Sequence, residues 1–299
     1  MKNETSFLIA LTFFLTFSFK IFGGNESDNF RYCFVGDTGE ITEPQAKVAK
    51  ALEISTCKDI WLAGDIIYPD GLSSAEDPQF KEKFLTPFSL VIQSGKRFFF
   101  TLGNHDYKGD PESYIEIAKN NKSIYFPKNY FVYKENGLCF VALDTTVFDK
   151  IYMFYKRNEQ INWLEEQKRD LKKDCKLSIA VAHHPLFSSG DRKKGSPQLA
   201  AFLNEYVFGS FDIYIAGHNH VLADEGERDG TLQLISGSGS LPGGSPEKAP
   251  RDKFNVEIPG YLALGVDKRE SGLIANYKFI SAEDGSILWS KIKKGKGIR

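Results

Sequence analysis

Five short stretches of this chain share one pattern: an apolar run of strand length that stops abruptly on glycine or on polar residues. They are RYCFVGD (31–37), DIWLAGD (59–65), RFFFTLGNHD (97–106), LSIAVAHHP (177–185) and FDIYIAGHNH (211–220). Continuous apolar strands of this kind must be covered on both faces, which requires sheets flanked by helices. Helical segments fit between them at 43–54, 77–93, 160–173 and 197–208, the second with Pro87 placed to kink it. Alternation of strand and helix implies right-handed crossovers and parallel strands. Two stretches break the rhythm. Residues 129–145 read as a hairpin turning at Asn136-Gly137, and TLQLISGSGS, GYLALGVDK, GLIANYKFI and SILWSKI read as a C-terminal meander. The expected product is a two-sheet α/β domain whose strand ends gather along one edge, where open α/β sheets bind ligands.

The five histidines of the chain, His105, His183, His184, His218 and His220, all lie in those strand ends. Scattered surface histidines are usual in a chain of 299 residues, so this confinement argues for one shared site. Asp37 and Asp65 each follow a glycine, and Asn104 and Asp106 flank His105. Imidazole, carboxylate and amide oxygen together suit borderline ions such as Zn, Fe, Mn or Co, and the set contains no thiolate. The candidate ligands are too many for a single ion. Two ions roughly 3.5 Å apart, bridged by a carboxylate, would use them and would clamp an in-line displacement at phosphorus.

Taken in order, GD (36–37), GDxxY (64–68), GNHD (103–106), HH before Pro185 (183–184) and GHxH (217–220) resemble the calcineurin-like metallophosphoesterase superfamily. Within it, the chain is most similar to the single-domain purple acid phosphatases of the tartrate-resistant type. The resemblance runs over residues 31–245 and takes in INWLEEQ before the fourth motif and SGSGS after the fifth. It implies a four-layer α/β/β/α sandwich of two mixed sheets, with a dinuclear metal site at the strand C-terminal ends. It implies Asp37, Tyr68 and His220 as ligands of one ion, Asn104, His183 and His218 as ligands of the other, and Asp65 as the bridge. The ions would be iron with a second iron, zinc or manganese. His105 would face the substrate phosphate or leaving group, with Asp106 orienting its ring. His184 is expected to support its neighbour, Asp144 to hydrogen-bond near the site and Tyr107 to form wall.

Two departures bear on the chemistry. The histidine that many metallophosphoesterases carry two residues after the first aspartate is Gly39 here, which is consistent with Tyr68 taking its place as a ligand. The second substrate-facing histidine of purple acid phosphatases falls on Arg192. Arginine can grip phosphate oxygens but cannot donate a proton near neutral pH, so it is read either as a substrate contact or as a solvated loop charge. The expected activity is that of an acid phosphatase, hydrolysing phosphate monoesters by in-line attack of hydroxide held on the metal pair. The alternatives are a phosphodiesterase or a nucleotide or pyrophosphate hydrolase using the same site, and a metal-binding surface protein without turnover.

The N-terminus, MKNETSFLIALTFFLTFSFKIFGG, reads as a secretory signal within residues 1–28, with an uncleaved anchor as the alternative, followed by one domain over 29–299. Its apolar run from Phe7 to Phe19 falls short of the roughly 20 residues of a spanning helix, so no stable membrane span is expected. Export would place Cys33, Cys57, Cys139 and Cys175 where disulfides form, in any of three pairings, with buried free thiols as the alternative. Asn25 and Asn121 stand in glycosylation sequons that a eukaryotic host would use. Lys and Arg (38) balance Asp and Glu (39), which excludes a global field drawing the chain to nucleic acid or an anionic membrane. The basic run KIKKGKGIR (291–299) reads as a solvated tail. The expected partner is a small phosphorylated substrate, and the expected state is an exported monomer.

Overall fold

The computed structural model describes residues 30–149, 153–189, 195–243 and 253–299. Residues 1–28, read above as a signal, and Arg192 lie outside the described residues. Four strands, β1 (Tyr32–Val35), β2 (Asp59–Ala63), β3 (Arg97–Thr101) and β4 (Ile124–Tyr125), pair in parallel in sequence order. The chain then builds a second sheet from β5 (Phe131–Glu135), β6 (Leu138–Ala142), β7 (Leu177–Val181), β8 (Ile213–Ala216), β9 (Leu222–Arg228), β10 (Thr231–Ser236) and β11 (Phe254–Val256). Its spatial order is β11-β9-β10-β8-β7-β6-β5. Finally β12 (Gly260–Arg269), β13 (Gly272–Ser281) and β14 (Ile287–Lys294) return to the first sheet as an antiparallel meander beside β1. The expected C-terminal meander is therefore divided: β10 inserts into the second sheet, parallel to β8 and antiparallel to β9.

Helices fill the intervals. Thr42 caps α1 (Glu43–Ile54) by accepting a hydrogen bond from the Gln45 amide, and Pro44 occupies the first turn where no N–H is needed. The segment from 77 to 93 is broken into α2 (Pro78–Phe80), a wide turn in which the Thr86 amide reaches the Lys81 carbonyl, and α3 (Ser89–Gln93). Pro87 sits at the break because it has no amide hydrogen to continue the ladder. Then come α4 (Glu112–Asn120), α5 (Thr146–Asp149), α6 (Phe154–Asp174) and α7 (Pro197–Phe202).

Every residue of β1, β2, β6, β7 and β8 is buried, as strands covered on both faces must be. Between the sheets, Trp61 stacks at 4.9 Å on Phe140 and at 5.9 Å on Phe131, and Tyr32 lies 4.9 Å from Phe140. With helices on the outer faces, the layers are α/β/β/α. The two sheets also meet at their carboxyl edges, where the Gly36 amide donates to the Ser236 carbonyl at 2.6 Å and His183 Nδ1 lies 2.8 Å from the Ala63 carbonyl. That seam brings the strand ends of β1, β2, β3, β7 and β8 together.

All four cysteines are paired, Cys33 with Cys57 and Cys139 with Cys175, which removes the free-thiol alternative. The basic run is not a solvated tail. Lys293 is buried, with its ammonium on the Gly230 carbonyl and the Glu227 carboxylate, and the amides of Lys296 and Gly297 donate to the two oxygens of Asp212.

Candidate metal centre

Three of the strand ends, those of β1, β2 and β8, deliver their side chains through an unusual backbone. Asp37, Asp65 and His218 all adopt positive φ, at 59°, 52° and 66°. This left-handed conformation is uncommon for residues with a Cβ, and it turns each side chain sharply out of its strand into the seam. Gly64 prepares the turn at β2 with a φ of 83°, and a Cβ there would stand 2.4 Å from His183 Nδ1. Gly103 performs the second close approach, since its Cβ would lie 2.2 Å from Asp65 Oδ1.

The donor atoms converge in two groups. In the first, the Tyr68 hydroxyl lies 2.9 Å from Asp37 Oδ1, 3.0 Å from Asp65 Oδ2 and 3.1 Å from His220 Nε2, while His220 Nε2 is 3.3 Å from Asp37 Oδ1. In the second, His183 Nε2 lies 3.3 Å from Asp65 Oδ2, 3.2 Å from Asn104 Oδ1 and 3.2 Å from His218 Nδ1. Asp65 Oδ2 belongs to both. Ligands at about 2.1 Å from an ion and at right angles to one another stand about 3 Å apart, so these spacings match what a cation would hold together. A set of imidazole nitrogens with carboxylate, amide and phenol oxygens, of which Asp37, Asp65, Tyr68 and His183 are buried, therefore fits two borderline cations.

The electrostatics of the protein groups alone agree. Burial, then the Asp37 and Asp65 carboxylates, push the Tyr68 phenol far above its ordinary value, so the hydroxyl keeps its proton until a cation replaces it. Burial works against a charged His183, but the facing Asp65 outweighs it and raises that imidazole to about 9. Burial and the neighbouring His183 push His218 down to about 4. The carboxylates thus favour positive charge at His183 in the second group.

The surroundings place the other sequence candidates. The His105 amide donates to Asp65 Oδ1 at 2.8 Å, and its ring lies 4.3 Å from the ring of Tyr68. Asp106 does not orient that ring. Its buried carboxylate accepts from the amides of Ile66, Ile67 and Gly103 and from the Tyr114 hydroxyl, clasping the loop that carries Tyr68 to the loop that carries Asn104. The ring nitrogen Nδ1 of His105 instead meets the Pro69 carbonyl at 2.6 Å. Those amide contacts depend on the fold and leave no trace in the sequence. His184 has Nδ1 on the Thr145 hydroxyl at 3.0 Å and packs its ring 4.6 Å from that of His218. Tyr107 bonds Asp144, whose backbone is held in turn by both ends of the Gln160 amide. Two lysines went unmarked in the sequence: Lys83 donates to the Tyr68 carbonyl and Lys108 to the Pro69 carbonyl.

Residues 30–222 match the family model described as calcineurin-like phosphoesterase. The chain belongs to that family. Among named members, purple acid phosphatase 17 of Arabidopsis thaliana is 30% identical over 196 residues, covering 59% of this chain and 57% of the relative. The chain thus spans less than two thirds of that plant protein. Tartrate-resistant acid phosphatase type 5 of Rattus norvegicus is 25% identical over 297 residues, covering 87% of this chain and 86% of the relative. Among solved structures, that of GAP50, the anchor in the inner membrane complex of Plasmodium, is 22% identical, covers 90% of this chain and 89% of its own, and has a TM-score of 0.74. This last likeness is one of fold alone.

Proposed function

We propose that this calcineurin-like phosphoesterase is a dinuclear-metal phosphomonoesterase of the acid phosphatase type. The observation behind this reading is the convergence of seven side chains into two groups that share Asp65 Oδ2. Asp37, Tyr68, His220 and Asp65 would hold one ion, and Asn104, His183, His218 and Asp65 the other. The ions, when bound, supply Lewis acidity and activation of water, with iron in the Tyr68 group and iron, zinc or manganese in the second.

The protein's own part is orientation and proton placement. The Pro69 carbonyl accepts from His105 Nδ1–H, which orients the ring so that Nε2, when it too carries a proton, would donate to an oxygen of the ester or of its leaving group. The Asp106 clasp keeps the Tyr68 and Asn104 loops in register, so the donors are set before substrate arrives. The two disulfides support an oxidising compartment, and hence export.

The test is metal analysis coupled to turnover of an aryl phosphate. Two bound ions per chain and hydrolysis that Asp65→Ala with His183→Ala abolishes are expected; activity retained in that double variant would sink the reading. The likeness to GAP50 favours a second reading, a metal-holding anchor without turnover. Two tightly bound ions with no hydrolysis of any phosphate ester would favour it.

A further inference from the structure

We propose that Lys108 is a specificity residue which selects phosphate monoesters whose leaving group carries an anionic substituent of its own. The proposal rests on the phosphomonoesterase reading. Lys108 Nζ lies 3.2 Å from His105 Nδ1, and both nitrogens converge on the Pro69 carbonyl, at 3.0 and 2.6 Å. Two donors sharing one acceptor cannot hydrogen-bond each other, so the ammonium is held beside the imidazole by the carbonyl below them. His105 Nε2 has no hydrogen-bond partner among the described residues; where it meets the leaving group, as the phosphomonoesterase reading has it, the Lys108 ammonium flanks the same ring on its Nδ1 side, beside that group.

The ammonium is also available there. The Lys108 side chain is 44% exposed, and its carboxylate neighbour, Asp70 at 3.5 Å, is 71% exposed. An exposed pair of this kind is weak, so an anionic substituent on the leaving group can displace Asp70 at little cost. Lys83 cannot serve in this way, because its ammonium is turned to the Tyr68 carbonyl on the inner side of the loop. The lysine gives a charged leaving group a contact that a neutral one of the same shape lacks.

The test uses a matched pair, 3-carboxyphenyl phosphate and 3-carbamoylphenyl phosphate, with the metal-loaded full chain. The wild type is expected to prefer the carboxylate by about tenfold in kcat/KM, carried mainly by KM, as for one hydrogen bond to a charged group. Lys108→Met should bring the ratio to about one, Lys108→Arg should keep most of it, and Asp70→Asn should raise it. A ratio unchanged in Lys108→Met, or abolished equally in Lys108→Arg, overturns the proposal whatever happens to absolute rates. A wild type that hydrolyses neither ester sinks the phosphomonoesterase reading, and the proposal with it.

Discussion

At the scale of single residues, Tyr68 shows how a sequence signal becomes a physical one. Its hydroxyl stands 2.9–3.1 Å from Asp37, Asp65 and His220. Loaded with iron, the protein should show a visible tyrosinate charge-transfer band that Tyr68→Phe removes; an unchanged spectrum would count against ligation. Asp144 offers a pH test away from the metal ligands. Burial raises its carboxyl from 3.8 to about 6, so the folded state holds the proton more tightly than the unfolded chain. The resulting stabilisation is complete below pH 3.8 and is lost as pH rises through about 6. Denaturation midpoints measured across that window should fall more steeply in the wild type than in Asp144→Asn. The side chains that converge on the seam were legible because they sit in short motifs at strand ends. The role of Asp106 was not, because its partners are backbone amides that only the fold assembles.

At the scale of elements, α1 was readable to the residue, since Thr42, Pro44 and the apolar face declare its start. Its other end also falls where expected, at Ile54, although what closes it was not legible: the Lys96 ammonium, from the edge of β3, donates to the Leu52 and Ser55 carbonyls. The Asn136-Gly137 turn also matched, with both residues at positive φ, 51° and 83°, as a two-residue hairpin loop requires. Strand β9 was missed because LADEGER looks like a surface turn. Its Asp224 is nevertheless buried, accepting from the Tyr277 hydroxyl and the Trp289 indole of the distant meander. The same long-range contacts dock β14, in which the basic run begins. The Cys139–Cys175 bridge closes a loop of 36 residues across β6 and α6. Replacing both cysteines with serine should cost about 3–4 kcal/mol in urea unfolding, on the chain-entropy estimate. A loss below about 1 kcal/mol would show that α6 packing alone fixes that loop.

At the scale of the whole molecule, the centre is a seam between two sheets, and cations that hold Asp65 hold the sheets together. Chelation should therefore lower the thermal midpoint, and re-addition of metal should restore it. With free ion at a hundred times its Kd, the linkage is about 2.7 kcal/mol. The effect should vanish in the Asp65→Ala, His183→Ala double variant; if it persists, the ion is bound elsewhere. The alternation of strands and helices foretold two covered sheets, because burial on both faces leaves an unbroken apolar record. The division of the C-terminal strands between the sheets left no such record, since β10 and β12 read alike as apolar runs.

The left-handed backbones of Asp37, Asp65 and His218 reach beyond the chemistry of one site. Asparagine and glycine adopt that conformation at little cost, whereas leucine or valine would strain the strand ends. A lineage released from catalysis could drift to asparagine or glycine at these three positions and lose its ions while keeping the seam. Divergence would then leave a mark: the scaffold would outlive its metals, and the positions of its first tolerated losses would be dictated by backbone geometry.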